Sequence, residues 1–139
     1  MLKSPFTLAA TACLLAPMFA LANIISPLPA NRADLDSLRW QKRPVLVFAP
    51  STEDAHYRQQ MALFEKAKNG LLARDIVVLT DTHPAASGKL RSKIDPKGFE
   101  VILVGKDGGI KLRQTRPLTP DALFATIDRM PMRRAEMSR

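Results

Sequence analysis

The chain has 139 residues, 21 Lys and Arg against 13 Asp and Glu, a formal net charge of +8, and one cysteine. That length suits one ordinary domain. A single cysteine excludes an internal disulfide and a zinc site built on several thiolates, so an ordinary core must hold the fold.

The basic charge is spread along the sequence. Few aromatic residues stand among the basic ones and no nucleic-acid motif is present, so the charge is read as solubility, with no nucleic-acid partner expected.

Lys3 precedes an apolar, small-residue run from Pro5 to Leu21, which ends in Ala20-Leu21-Ala22. This is the layout of a secretory signal peptide over residues 1–22, with cleavage before Asn23. The run is short for a membrane span and Pro17 interrupts it. Cys13 lies within it, and the apolar run continues past that residue, which argues against a lipidated cysteine. The expectation is an exported protein, periplasmic or extracellular, with no cysteine and no transmembrane segment after processing.

Residues 23–37 read as an extended lead-in, because Pro27 and Pro29 prevent a helix. A short helical turn is expected over 33–39, followed by Trp40 as a lid on the core. Val45 to Ala49 is apolar on both faces, as in a central strand, with Pro44 at its start and Pro50 as its stop. A helix then opens at Ser51-Thr52-Glu53-Asp54, with Ser51 or Thr52 as the cap, and runs to about Lys68. Tyr57, Met61 and Phe64 form its core stripe, and Asn69-Gly70 is the expected end.

Ile76 to Leu79 is a second buried strand. The loop from Thr80 to Gly88 holds His83, without a second histidine or a paired acid at ligand spacing, so no metal site is expected. A short helix over 87–94 and a turn over 95–98 lead to a strand from Phe99 to Val104. Gly108-Gly109 then turns the chain into Ile110–Arg113, whose alternation puts one face toward water. This glycine pair joins strand to strand, unlike a phosphate loop, which joins strand to helix. Thr119-Pro120-Asp121 opens a last helix with Leu123, Phe124, Ile127 and Met130 as its apolar stripe. Pro131 ends it, and residues 133–139 form a basic C-terminal tail.

Two strands joined by a long helix are parallel through a right-handed crossover, and the last two strands form an antiparallel hairpin. The order is that of a single α/β thioredoxin-like domain over 38–132, a mixed four-stranded sheet flanked by helices.

Several stretches also resemble a specific group. They are Arg43-Pro-Val-Leu-Val-Phe-Ala-Pro50, the helix with Gln59-Gln60, Arg74-Asp75, Val104-Gly-Lys-Asp-Gly-Gly-Ile-Lys-Leu-Arg113 and Ile127-Asp-Arg-Met-Pro-Met-Arg-Arg134. From about Leu38 to Met137 the chain is similar to an uncharacterised thioredoxin-like family, domain-of-unknown-function family 4174, found in bacterial exported proteins. Related domains occur in animal extracellular proteins with sushi repeats. The resemblance implies the fold and export, and no activity.

The strand-to-helix junction is where thioredoxin-like proteins keep their chemistry. A Cys-x-x-Cys laid on this sequence would fall at Thr52 and Ala55, and a peroxidatic cysteine near Tyr57. None of these positions holds sulfur, and both reactions need a thiolate. Ser51 or Thr52 as a nucleophile would need a base, and His56 is too near along the same helix to be oriented. No catalytic residue, cofactor or metal ligand is assigned.

One site remains: an anion-binding edge of Ser51, Thr52, Arg113 and Arg116, at a helix start beside returning arginines, with Glu53 and Asp54 opposing it. The expected function is a non-catalytic binding or interaction module. A non-redox enzyme, and a basic adapter at an anionic envelope surface, stay open as alternatives. The partner would be a protein or an anionic envelope component.

Overall fold

The apolar run beginning at Arg43 forms the centre of the sheet because every one of its residues can be covered. In the computed structural model, which describes residues 23–139, strand β2 (Arg43–Phe48) is buried at all six positions. The expected leader, with Cys13, lies outside the described residues.

β3 (Ile76–Asp81) pairs parallel on one side of β2, with Val45 opposite Val78. β4 (Glu100–Val104) pairs antiparallel on the other side, with Val45 opposite Leu103, and β5 (Ile110–Gln114) continues as the hairpin.

The sheet has five strands, one more than expected, in the order β1-β3-β2-β4-β5. The added strand is β1 (Ile25–Pro27), parallel to β3 in the lead-in. Its prolines rule out a helix, yet an edge strand tolerates Pro27 because one side of its ladder is unused. Leu28 N–H donates to Thr80 O at 2.7 Å just beyond it.

The two sheet faces carry separate cores. Val45, Val47, Val78, Val101 and Leu103 pack under α1 (Ala55–Lys66), α2 (Lys68–Ala73) and α4 (Pro120–Asp128), which contribute Phe64, Leu71, Leu123 and Ile127. Leu46, Phe48, Leu79, Ile102 and Val104 face the other way, against Leu28 and against Leu90 of α3 (Lys89–Ile94). Both cores are built from residues within 23–139.

Four local features differ from expectation. First, α1 begins at Ala55, and its cap is Asp54, whose Oδ1 accepts from Tyr57 N–H at 2.9 Å. Ser51 and Thr52 belong to the preceding turn, where Ser51 Oγ accepts from Glu53 N–H at 3.2 Å.

Second, Asn69-Gly70 does not stop the helix. The chain breaks at Ala67 and resumes as α2 through Gly70. A Cβ at Gly70 would lie 2.5 Å from the Phe124 ring, so the glycine lets α2 approach α4.

Third, Trp40 is 62% exposed and covers no core. It stands at φ +67°, and its N–H donates to Lys106 O at 2.6 Å.

Fourth, the expected tail is helical. Pro131 starts α5 (Pro131–Met137) at a position where its missing N–H is not needed. Glu136 on this helix reaches back to the start of the sheet. It meets Arg43 Nη2 at 3.1 Å and Lys106 Nζ at 2.6 Å, and Lys106 also holds Asp75 at 2.8 Å. Burial pushes the Glu136 carboxyl up, but the hydrogen bonds and charges of Lys106 and Arg43 outweigh it and lower its pKa to about 2. Alongside, Arg74 grips Asp128 with two hydrogen bonds at 2.9 and 2.8 Å while lying 3.9 Å from the Phe124 ring centroid. The Arg74 hydrogen bonds lower the Asp128 pKa.

Candidate functional site

Strand register decides which loops meet. Phe48 stands opposite both Asp81 and Glu100, and Val101 stands opposite Gln114. The ends of β2, β3 and β5 and the start of β4 therefore share one end of the sheet. The turn over 50–54, the 82–88 loop, Gly98 and the Thr115-Arg116 exit all emerge there.

A cleft of about 380 Å³ opens at this end. Thr52 and Tyr57 come from the turn and first helix, Asp81, Thr82 and His83 come from the end of β3, and Leu28 supplies apolar lining.

Asp81 is fixed from several sides. Arg91 Nε meets its Oδ2 at 3.0 Å, and His83 N–H donates to its Oδ1 at 3.0 Å. Arg91 Nη2 also donates to Asp81 O at 2.9 Å and to Ala49 O at 3.2 Å, so one guanidinium binds the ends of both parallel strands. Such a nearly buried pair, satisfied by backbone groups, holds the cleft wall in place. Thr82 Oγ1 and His83 Nδ1 are 3.3 Å apart.

The lining combines hydroxyls, an imidazole and an aliphatic surface. It can exchange hydrogen bonds with a small ligand while covering its apolar part. Among the described residues, neither the Thr52 nor the Tyr57 hydroxyl is hydrogen-bonded to a base, the arrangement a nucleophile requires. His56 instead packs edge-on against Phe99, with ring centroids 5.4 Å apart. Among the described residues no group of three His, Cys, Asp or Glu is placed to hold a metal.

The four residues of the expected anion edge share this end of the sheet but not one surface. Thr52 lines the cleft. Ser51 serves the turn. Arg113 Nε donates to Glu100 Oε1 at 2.5 Å, and Nη2 reaches Ile94 O at 3.4 Å. The Glu100 hydrogen bond raises the arginine's pKa. Arg116 is exposed, and its carbonyl accepts from Gln114 Nε2 at 2.9 Å.

Glu100, Asp81 and Arg91 were not singled out from sequence. The available signal was charge beside apolar strands: an acid at the last position of β3, another at the first position of β4, and arginines within reach of each.

The domain of unknown function designated DUF4174 matches residues 34–136. Rat sushi repeat-containing protein SRPX is 31% identical over 87% of this chain, and human SRPX is 30% identical over the same share. The chain spans about 30% of the length of each. Zebrafish coiled-coil domain-containing protein 80 is 28% identical over 75% of this chain and 16% of its own length.

Among solved structures, a reduced 2-Cys peroxiredoxin from Plasmodium vivax aligns with a TM-score of 0.55 at 12% identity, over 74% of this chain and 84% of that one. The first two thioredoxin domains of Eps1p from Saccharomyces cerevisiae align at 0.52 and 19% identity, over 74% and 40%. At these identities the likeness is one of fold, and that fold is thioredoxin-like. With the family model covering all but the two ends of the described residues, the chain belongs to the DUF4174 family.

Proposed function

We propose that this is an exported, non-catalytic binding module that takes a small ligand in the cleft between the first helix and the end of β3. The observation that carries the reading is the combination of a thioredoxin-like fold with a reactive edge that has no sulfur and keeps an open cleft. Thiol chemistry has no group to run on between residues 23 and 139.

The cleft volume lies in the range of small-molecule sites. Thr52, Tyr57 and His83 offer hydrogen bonds above an aliphatic lining, and Arg91 braces the wall they stand on. The anion-binding edge belongs to this proposal in reduced form. Thr52 and the exposed Arg116 remain available, while Arg113 is committed to Glu100. Export rests on the leader pattern of residues 1–22.

The test uses residues 23–139 and a fragment library followed by ligand-observed NMR. Ala86 is exposed on the cleft rim, so Ala86→Trp plugs the cleft without touching either core. Fragments that bind the parent and lose binding to the plugged variant support the reading. Fragments that bind both equally move the site elsewhere, and peroxide or disulfide turnover by the purified protein overturns the non-catalytic assignment.

A further inference from the structure

At the opposite end of the sheet, Trp40 combines two features that the fold does not require. Its backbone lies in the left-handed region, at φ +67°, which bulky residues avoid. A glycine would make the same turn without strain. The hydrogen bond to Lys106 O ties the start of β2 to the exit of β4, but it comes from the backbone and needs no indole. The side chain gains little from burial, being 62% exposed. Strain carried by an exposed aromatic points to work done outside the chain.

The surroundings have the same character. The exposed large apolar residues of the described chain are Trp40, Leu72, Ile110, Met132 and Met137, and all five lie at this end. Met132 shares a cleft with Lys106, the backbone partner of Trp40. Leu72 shares another with Lys42. Ile110 follows the turn at Gly108 on which the Arg39 guanidinium rests, and Met137 follows Glu136, the acid held by Lys106. Among the described residues, Lys42 and Arg134 make no ion pair, so their charge faces outward uncompensated.

We propose that this sheet end is a peripheral docking surface for an anionic lipid bilayer. Trp40 would sit at headgroup depth, and Lys42 and Arg134 would lie against the lipid phosphates. The observations favour lipid over a protein groove for three reasons. The exposed apolar groups come from separate elements (the chain before β2, α2, β5 and α5) and form no single groove. An indole among long basic side chains is the combination that rests at a bilayer interface. The unpaired cations Lys42 and Arg134 are complementary to an anionic headgroup layer. The docking proposed is peripheral, with side chains at the headgroup layer; no helix among the described residues is long and apolar enough to cross a membrane. This site is separate from the ligand cleft and stands or falls independently of it.

Trp40 is the one tryptophan in the sequence, so fluorescence reports this site alone. The experiment titrates residues 23–139 with vesicles of phosphatidylcholine containing roughly one-third phosphatidylglycerol, and with phosphatidylcholine alone. The expected result is a blue shift with the anionic vesicles only, reversed by high salt. In co-sedimentation, Lys42→Glu with Arg134→Glu should weaken binding by at least about tenfold. Trp40→Gly should keep or raise the melting temperature while losing vesicle binding. No blue shift, equal binding to both vesicles, or full binding by Trp40→Gly would overturn the proposal. So would a shift with polyglutamate and none with vesicles, which would indicate an acidic protein partner instead.

Discussion

Gln60 and Leu118 hold each other by two hydrogen bonds in opposite directions. Leu118 N–H donates to Gln60 Oε1 at 2.7 Å, and Gln60 Nε2 donates to Leu118 O at 2.9 Å. The glutamine is fully buried on α1, where a helix pattern would place an apolar residue. It imitates a strand partner for the chain that leads into α4. Gln60→Leu preserves much of the volume but strands a buried N–H and C=O. We expect a loss of about 2–4 kcal/mol, measured by urea denaturation. A loss below about 0.5 kcal/mol would mean that water replaces both bonds.

Glu136 makes the fold sensitive to acid. Its pKa in the folded protein is lowered from 4.5 to about 2, so its contribution is present above the unfolded value and disappears as pH falls through the folded one. Wild type should therefore lose stability progressively between these two values. Glu136→Gln should lower stability at neutral pH by about 2–3 kcal/mol and flatten this part of the acid profile. Thermal melts of both proteins across the acid range provide the check. Parallel profiles would assign the acid sensitivity to other carboxylates.

Gly70 and Phe124 should show strong coupling. Gly70→Ala improves helix propensity by about 1 kcal/mol, but its Cβ would fall 2.5 Å from the ring. The clash should win, with a net loss of about 1–3 kcal/mol. Adding Phe124→Ala removes the obstacle, so the double variant should be more stable than the sum of the two single losses allows. A double-mutant cycle measures this, and additivity would exclude the contact.

The helix cap can be tested directly. Asp54→Ala removes the acceptor for Tyr57 N–H and should cost about 1 kcal/mol. Ser51→Ala removes only a turn contact and should stay within about 0.5 kcal/mol. Equal losses would return the cap to the serine.

The sequence made the sheet centre and α4 legible because one strong local signal marked each: uninterrupted apolar residues at Val45–Ala49, and Thr119-Pro120 before a helical stripe. Asp54 was masked by better-known cap residues just ahead of it, and only the backbone path shows where the helix begins. β1 was hidden because a three-residue edge strand has almost no periodicity of its own and is defined by its neighbour. The cleft was partly legible: Thr52 and Tyr57 stood at the expected junction. Its braced wall was not, because Asp81 and Arg91 lie in separate elements and meet only through the fold. Arg113 looked outward by alternation, and it does lie outward, but Glu100 on the neighbouring strand had already claimed it.

The bond between Arg43 and Glu136 also sets an order of events during synthesis. Arg43 enters the central strand early, and the acid that balances it is translated 93 residues later, on the last helix. Until that helix emerges, the nascent chain carries a buried cation at the start of its central strand without its carboxylate, which disfavours early closure. The domain should therefore complete its packing only after α5 has been made.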